Sequence, residues 1–364
     1  YNVTQFYAVA MQNTSGSNYM IAGAQDNGSH KFTTAGVNAT SEVSGGDGAF
    51  CHIDQDNPNY QITSYVYNSY YRSTNGGGSF ASILNVSNRG RFINPTDYDN
   101  DANTLYASGN ADEYIRVAGI TGTVAASAVP VSLGGGKISA VIASANTANR
   151  IFVGTEKGTV YRIDNANGTP TVTNISGSFP TNGYVSCIEI GSSDNQLLVT
   201  FSNYGVTSVY QSTNGGSAWS NKEGDLPDLP VRWAIYNPNN NNEVMLATEA
   251  GVWSTNNVSA ASPAWNITSA GLANVRCDML QYRTSDKTVA VATHGRGVFT
   301  TDVFSGTAPA TCDVPTGLAS SNITSSSFTI SWSASPNATS YDVEVNGNVV
   351  ASGVTGTSSN ITGA

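Results

Sequence analysis

Charged side chains make up only 11% of the 364 residues, yet many of them fall at the tips of segments that precede or follow short apolar runs. Asp26, Asp47, Glu113 and Glu249 are carboxylates of this set, Arg91, Arg232 and Arg276 are its arginines, and Tyr67 and His294 join them. Two carboxylates flanking a glycosidic bond can hydrolyse it, about 5 Å apart for retention and farther for inversion. Arginine forks hold a substrate carboxylate bidentately. The same donors and acceptors, without a reactive pair, bind a polar ligand. These nine residues are therefore candidate ligand-binding positions, and no diagnostic motif marks any of them as catalytic. His30, Arg89, Asp112, Lys137, Glu156, Lys157 and Arg296 fall at similar tips. Strands exclude charge, so loop tips also collect it without any ligand.

A second constellation, "DYDNDAN", places Asp97, Asp99 and Asp101 at alternate positions before Asn103. A turning loop with this spacing points several oxygens at a hard cation, so Ca²⁺ is the one cofactor implied. The glycine and the terminal bidentate Glu of an EF-hand loop are missing. Cys51, Cys187, Cys277 and Cys312 lack metal-ligand spacing. "AFCHID", "VSCIEI" and "VRCDML" put three of them at one expected strand position, where Ala140 stands in "ISAVIA", which reads as a small buried apolar residue.

The elements that must carry these residues repeat. Asn precedes an apolar run at Asn18, Asn59, Asn103, Asn149, Asn195 and Asn242, with Asp286 one residue out of step, at spacings of 41, 44, 46, 46, 47 and 44 residues. Each run has an apolar strand before it and a second strand after it, often behind a turn glycine ("KGTVYRI", "AGVWST", "RGVFTT"), and then a weaker fourth. Four short antiparallel strands every forty to fifty residues predict an all-β fold, a seven-bladed β-propeller over residues 1–303. In such a ring the loops entering the innermost strands and those joining second to third strands converge on one end, gathering the candidate residues. Two-residue alternation excludes helical solenoids. An array of β-sandwiches is the other architecture with repeated strands, with a unit nearer 90–100 residues.

Between third and fourth strands, "YRSTNGGGSF" and "YQSTNGGSAW" supply Ser73, Asn75, Gly77 and Phe80, then Ser212, Asn214, Gly216 and Trp219. "WSTNNVSAASPAW" is a decayed third copy. Gly tolerates positive φ, and the short Asn side chain accepts from turn amides, so these are folding devices. The stretch resembles Ser-x-Asp-x-Gly-x-Thr-Trp, the Asp-box (BNR repeat) of sialidases, sortilin-type receptors and xyloglucanase-type glycoside hydrolases, with Asn in place of Asp. "GAQDNGS", "GGDGAF" and "ATHGRGVFTTD" look like phrases of large secreted Asp-box propeller proteins of Bacteroidetes, many exported by the type IX secretion route. The resemblance implies an extracellular or cell-surface location. For the sialidase branch it implies an arginine triad, to which Arg91, Arg232 and Arg276, each expected to begin an innermost strand, are the matching residues; "RFINP" only loosely echoes Phe-Arg-Ile-Pro.

The net charge of −10 and pI near 4.6 argue against nucleic acid as a partner, and no apolar stretch approaches the roughly 18 residues of a membrane span. The chain begins at Tyr1 without Met, and its seventh repeat leaves little room for a fourth strand. Segments upstream of Tyr1 are expected to complete it. After a linker at 304–311, residues 312–364 resemble the first part of a fibronectin type III domain, on Pro315, Leu318, Trp332, Tyr341 and an Asn346-Gly347 hairpin. Its last strands are expected beyond Ala364. The reading is a secreted binding or adhesion protein for carbohydrate or a cell-surface protein. The alternatives are a glycoside hydrolase propeller and a structural subunit of a surface filament or secreted complex.

Overall fold

Runs of Val, Ile, Leu and Tyr between Gly and Asn clusters become strands, and every regular element among the described residues is a β-strand. The computed structural model describes residues 3–181, 183–272, 274–302, 304, 314–335, 338 and 340–363, and it divides into the units Tyr1–Gly306 and Thr307–Ala364. All of the expected linker but Phe304, together with Cys312 and both chain ends, lies outside the described residues.

In the first unit, six sheets have four antiparallel strands in chain order and a seventh has three among the described residues. The first sheet joins Phe6–Met11, Met20–Ala24, Gly28–Phe32 and Ser41–Ser44. First strands of the others are Cys51–Ile53, Thr96–Asp99, Ile138–Ala143, Val185–Ile190, Val231–Asn237 and Cys277–Arg283. Second strands such as Ile151–Thr155 and Leu197–Phe201 are buried at every residue, while fourth strands such as Ala81–Val86 are largely exposed. Apolar side chains on both faces of a second strand mean that both faces are covered, here by neighbouring sheets.

The first strands pack in chain order, and Cys277–Arg283 packs back against Phe6–Met11. His52 Nε2 lies 2.8 Å from Thr96 Oγ1 and joins the second sheet to the third. Gln5 bridges to His294, tying the start of the unit to its seventh sheet. The result is a propeller-like sheet architecture. Close approach of successive sheets requires glycine at two equivalent positions. A Cβ on Gly23 would lie 1.9 Å from the Ala49 carbonyl oxygen, and one on Gly154 would lie 2.2 Å from Val185 Cγ1.

Backbone conformation accounts for two of the recurring Asn. Asn103 and Asn149 take positive φ (48° and 58°) within two residues of a second strand, a conformation Asn tolerates. In the seventh sheet Lys287, one residue after Asp286, takes positive φ (64°). A bulge near the start of five first strands alters one further expectation. Cys187 follows the bulge of its strand while Cys277 precedes the bulge of its own, so the cysteines do not share one register. All three described cysteines are buried free thiols, and burial pushes Cys51 and Cys277 up to about 12.

The third sheet differs most from expectation. Its first strand is the polar Thr96–Asp99, so Arg91 precedes the strand by five residues and "RFINP" is loop. Arg232 lies inside Val231–Asn237, and Arg276 immediately precedes Cys277–Arg283.

The two Ser-Thr-Asn-Gly turns adopt the same hydrogen-bond pattern. Ser73 Oγ donates to Asn75 Oδ1 (2.9 Å) and accepts from Gly77 N (2.9 Å); Ser212 Oγ does the same with Asn214 Oδ1 (2.9 Å) and Gly216 N (2.9 Å). Asn75 Oδ1 also accepts from Ser79 N (3.0 Å), and Asn214 Oδ1 from Ala218 N (2.8 Å). Each turn docks on the recurring Asn of its own sheet: Gly76 N donates to Asn59 O and Gly215 N to Asn195 O. Phe80 is half-buried, whereas Trp219 donates its Nε1–H to Ile175 O of the preceding sheet (2.7 Å), as Trp265 does to Lys222 O (3.0 Å). Asn214→Ala removes an acceptor shared by two donors and is expected to lower stability by about 1–2 kcal/mol. Asn214→Asp keeps the acceptor and adds charge assistance, so its midpoint in urea should equal or exceed that of the parent. A lower midpoint for the Asp variant would show that the turn selects against charge.

In the second unit, Ala319–Ser321, Ser327–Ser331 and Ser358–Thr362 form one sheet, and Tyr341–Val345 pairs with Asn348–Val354 in a hairpin. Asn346 and Gly347 take positive φ (53° and 81°), the requirement of a tight two-residue hairpin turn. Trp332, Val343 and Ile361 form its core, with the Trp332 and Tyr341 rings 5.3 Å apart.

Candidate functional site

The starts of the first strands and the loops between second and third strands carry two polar clusters. In one, Arg91 precedes the third sheet, Glu156 lies in a loop of the fourth, Tyr184 leads into the fifth, and Arg232 and Glu249 belong to the sixth. Arg91 forms an ion pair with Glu156 through its terminal nitrogen, donates Nε–H to Ile138 O (2.8 Å), and lies over the Tyr184 ring at 5.0 Å from its centroid. Glu156 Oε1 accepts from Lys137 N (3.1 Å), and Lys137 Nζ donates to Gly90 O (3.1 Å). Arg232 Nε donates to Glu249 Oε2 at 2.9 Å, and its terminal nitrogen reaches the same oxygen. Burial raises the Tyr184 phenol above its ordinary value, partly opposed by Arg91, with Glu156 and Arg232 also acting on it.

The second cluster joins the seventh sheet to the first. Arg276 donates from Nε (2.9 Å) and its terminal nitrogen (2.7 Å) to Asp278 Oδ1. Asp278 Oδ2 faces His294 Nδ1 at 3.4 Å, and neither buried atom has a hydrogen-bond partner among the described residues. The Tyr7 ring lies 5.9 Å from the imidazole, and its hydroxyl donates to Gln25 Oε1 (2.6 Å). Burial raises the Tyr7 phenol, helped by Asp278 and, more weakly, by Asp47 and Asp26. Asp47 Oδ1 accepts from Asp26 N (2.9 Å), so these two carboxylates border the same cluster.

Of the other sequence candidates, Glu113 pairs with Arg89 at 3.2 Å, and Tyr67 sits at positive φ (56°) with its ring edge-on to Phe92 at 6.0 Å. The arginines are thus not a bare triad, because Arg91, Arg232 and Arg276 each face a carboxylate. Tyr184, Tyr7, Gln25 and Asp278 escaped the sequence reading. Tyr7 and Asp278 lie inside strands, where loop-tip charge gives no signal. The alternation of Tyr7 with buried Phe6 and Ala8 was the available clue.

The acidic run does not gather into one coordination sphere. Asp97 and Asp99 lie in the strand Thr96–Asp99; Asp97 Oδ2 accepts from Ala143 N of the next sheet (2.7 Å), and Asp99 Oδ1 caps the following turn at Ala102 N (2.9 Å). Asp101 is exposed, and Asn103 Oδ1 lies 3.2 Å from the Tyr98 hydroxyl, whose proton goes mainly to Asp54 Oδ2 (2.7 Å). No group of three His, Cys, Asp or Glu able to hold a metal occurs among the described residues. Strand geometry explains the difference from a wrapped calcium loop, since extended backbone separates oxygens that a turn would converge.

What this end of the unit offers chemically is a set of arginine–carboxylate pairs beside tyrosine rings, with the space behind it filled. Phe50 and Trp233 rings stand 6.1 Å apart, and the gap they share with the third, fourth and fifth sheets is about 10 Å³. No protein-family model matches this sequence, and no curated protein matches it at a significant level.

Proposed function

We propose that the first unit is a closed, seven-bladed propeller of the Asp-box type from a secreted or cell-surface protein, followed by a module of the fibronectin type III kind, and that it binds carbohydrate. The placement of Arg91 over Tyr184 while it pairs with Glu156 carries this reading. A sugar hydroxyl both donates and accepts, and an arginine beside a carboxylate presents both functions to neighbouring hydroxyls. The tyrosine ring offers an apolar face to the ring C–H groups. Because each arginine is already neutralised, the surface favours a neutral glycan over the free carboxylate a sialidase recognises. A hydrolase also needs a protonated acid in an apolar pocket, whereas Glu156, Glu249 and Asp278 each contact an arginine.

The test is a glycan array with a parallel hydrolysis assay. Wild type should retain neutral glycans without turning them over, and Tyr184→Ala should weaken retention by about tenfold or more, about 1.4 kcal/mol. Turnover would move the reading to a glycoside hydrolase. Absence of any glycan signal would leave the protein-adhesion and filament-subunit readings.

A further inference from the structure

At the opposite ends of the first strands, a cavity of about 240 Å³ opens between the first, second, third and seventh sheets. Its volume corresponds to about eight waters at roughly 30 Å³ each and falls below the roughly 300 Å³ at which sites for drug-sized ligands begin. It is the right scale for one small ring.

The lining is polar but nearly without free charge. Gln281 gives its Oε1 to Met11 N, and its NH₂ makes no hydrogen bond among the described residues. Asn13 accepts the Thr284 hydroxyl on Oδ1 (3.2 Å), and its NH₂ makes no hydrogen bond among the described residues. His52 uses Nε2 on Thr96, its Nδ1 makes no hydrogen bond among the described residues, and Asp97 uses Oδ2 on Ala143 N. Tyr98 donates its hydroxyl to Asp54 Oδ2 (2.7 Å) and so offers the cavity its ring. Met11 and Ile53 add apolar surface. Arg283 also borders the space, but its guanidinium is clasped by Asp286. Burial lowers His52 to about 4 and raises Asp97 to about 7, which keeps the imidazole neutral and the carboxyl partly protonated near neutral pH.

We propose that this cavity is a second binding site, independent of the arginine-rich end, and that it takes one neutral polyhydroxyl ring, either a monosaccharide or the terminal residue of a glycan. Two amide NH₂ groups, an imidazole nitrogen and a carboxyl supply the donors and acceptors that ring hydroxyls require, between apolar and aromatic walls. The filled gap at Phe50 and Trp233 separates it from the other end.

The chain has three histidines, so the His52 ring resonance can be assigned by its loss in His52→Gln. Methyl glycosides of glucose, galactose and N-acetylglucosamine, then their disaccharides, are titrated while that resonance is followed. A saturable shift with a dissociation constant at or below about 10 mM is expected for at least one probe. Equal response to methyl glycoside and disaccharide identifies a monosaccharide-sized site open to glycan ends; response to the glycoside alone identifies a free-sugar site. Gln281→Glu, which keeps the acceptor for Met11 and removes the free NH₂, should weaken binding about tenfold. Asn13→Ala, at an exposed position, should weaken it several-fold and serves if the first variant fails to fold. No saturable shift with any probe, binding unchanged in the folded variants, or a saturable response to calcium chloride alone overturns the proposal. The array reads Tyr184 and this titration reads His52, so either result stands without the other.

Discussion

Arg283→Ala is expected to lower the free energy of unfolding by about 2–3 kcal/mol, at or below the lower end of the range for breaking a buried ion pair because Asp286 is only partly buried. Arg283 is buried in the seventh sheet and grips Asp286 with Nε (2.8 Å) and a terminal nitrogen (2.7 Å). Its other terminal nitrogen donates to Ser17 O (2.7 Å), and Asp286 Oδ2 accepts from Gly16 N (2.7 Å). One side-chain pair thus fastens the seventh sheet to the loop after the first strand of the first sheet. Arg283 holds the Asp286 carboxyl well below the usual carboxylate range. A depressed carboxylate contributes stability that is present above its unfolded value near 3.8 and is lost as pH falls toward its folded value. The difference between wild type and Arg283→Ala should therefore be constant from pH 5 to 8 and shrink below about pH 4. Arg162→Ala is the control: its pair with Asp164 at 3.0 Å lies within one strand and is partly exposed, worth about 0–1 kcal/mol. Equal urea midpoints for the two variants would mean that the ends of the unit are held by other contacts.

Sheet number and strand boundaries were legible because they depend on local chemistry. Asn before a second strand marks a backbone position that takes positive φ in Asn103 and Asn149, and small turn residues mark strand ends. The third sheet's first strand was hidden for an equally physical reason. In Thr96–Asp99, Asp97 binds a main-chain amide of the adjacent sheet instead of filling a core, so polarity that signals a loop elsewhere belongs here to a strand facing a cavity. The candidate site was legible only in part. Arg91 and Glu156 were visible as charged loop residues, but their pairing across 65 residues follows from which sheets are neighbours. Tyr7 and Tyr184 carry no motif. What sets them apart is tertiary, the His294 and Arg91 side chains lying against their rings.

The same stitching device appears three times with different chemistry, and this predicts an alkaline weakness. Asp97 Oδ2, Glu189 Oε1 and Gln281 Oε1 accept from Ala143 N, Tyr236 N and Met11 N, each on the first strand of the following sheet. Gln281 does this without charge. Burial, opposed by the Tyr236 amide and reinforced by Asp97, pushes Glu189 from 4.5 up to about 8; burial pushes Asp97 from 3.8 up to about 7. A carboxyl raised in the folded state contributes stability that is complete below its unfolded value and declines until pH passes the folded value. Glu189→Gln, which installs the uncharged version already used by Gln281, should therefore match wild type near pH 4.5 and exceed it by about 2–4 kcal/mol at pH 9. Asp97→Asn should show a similar gain, levelling off about one pH unit earlier. Because each carboxylate raises the cost of ionising the other, the double variant should gain less than the sum of the two. Denaturant titrations at pH 5 and pH 9 read this directly. A gain that is equal at both pH values would show that the amide contacts, not the buried charges, set the stability of this inner layer.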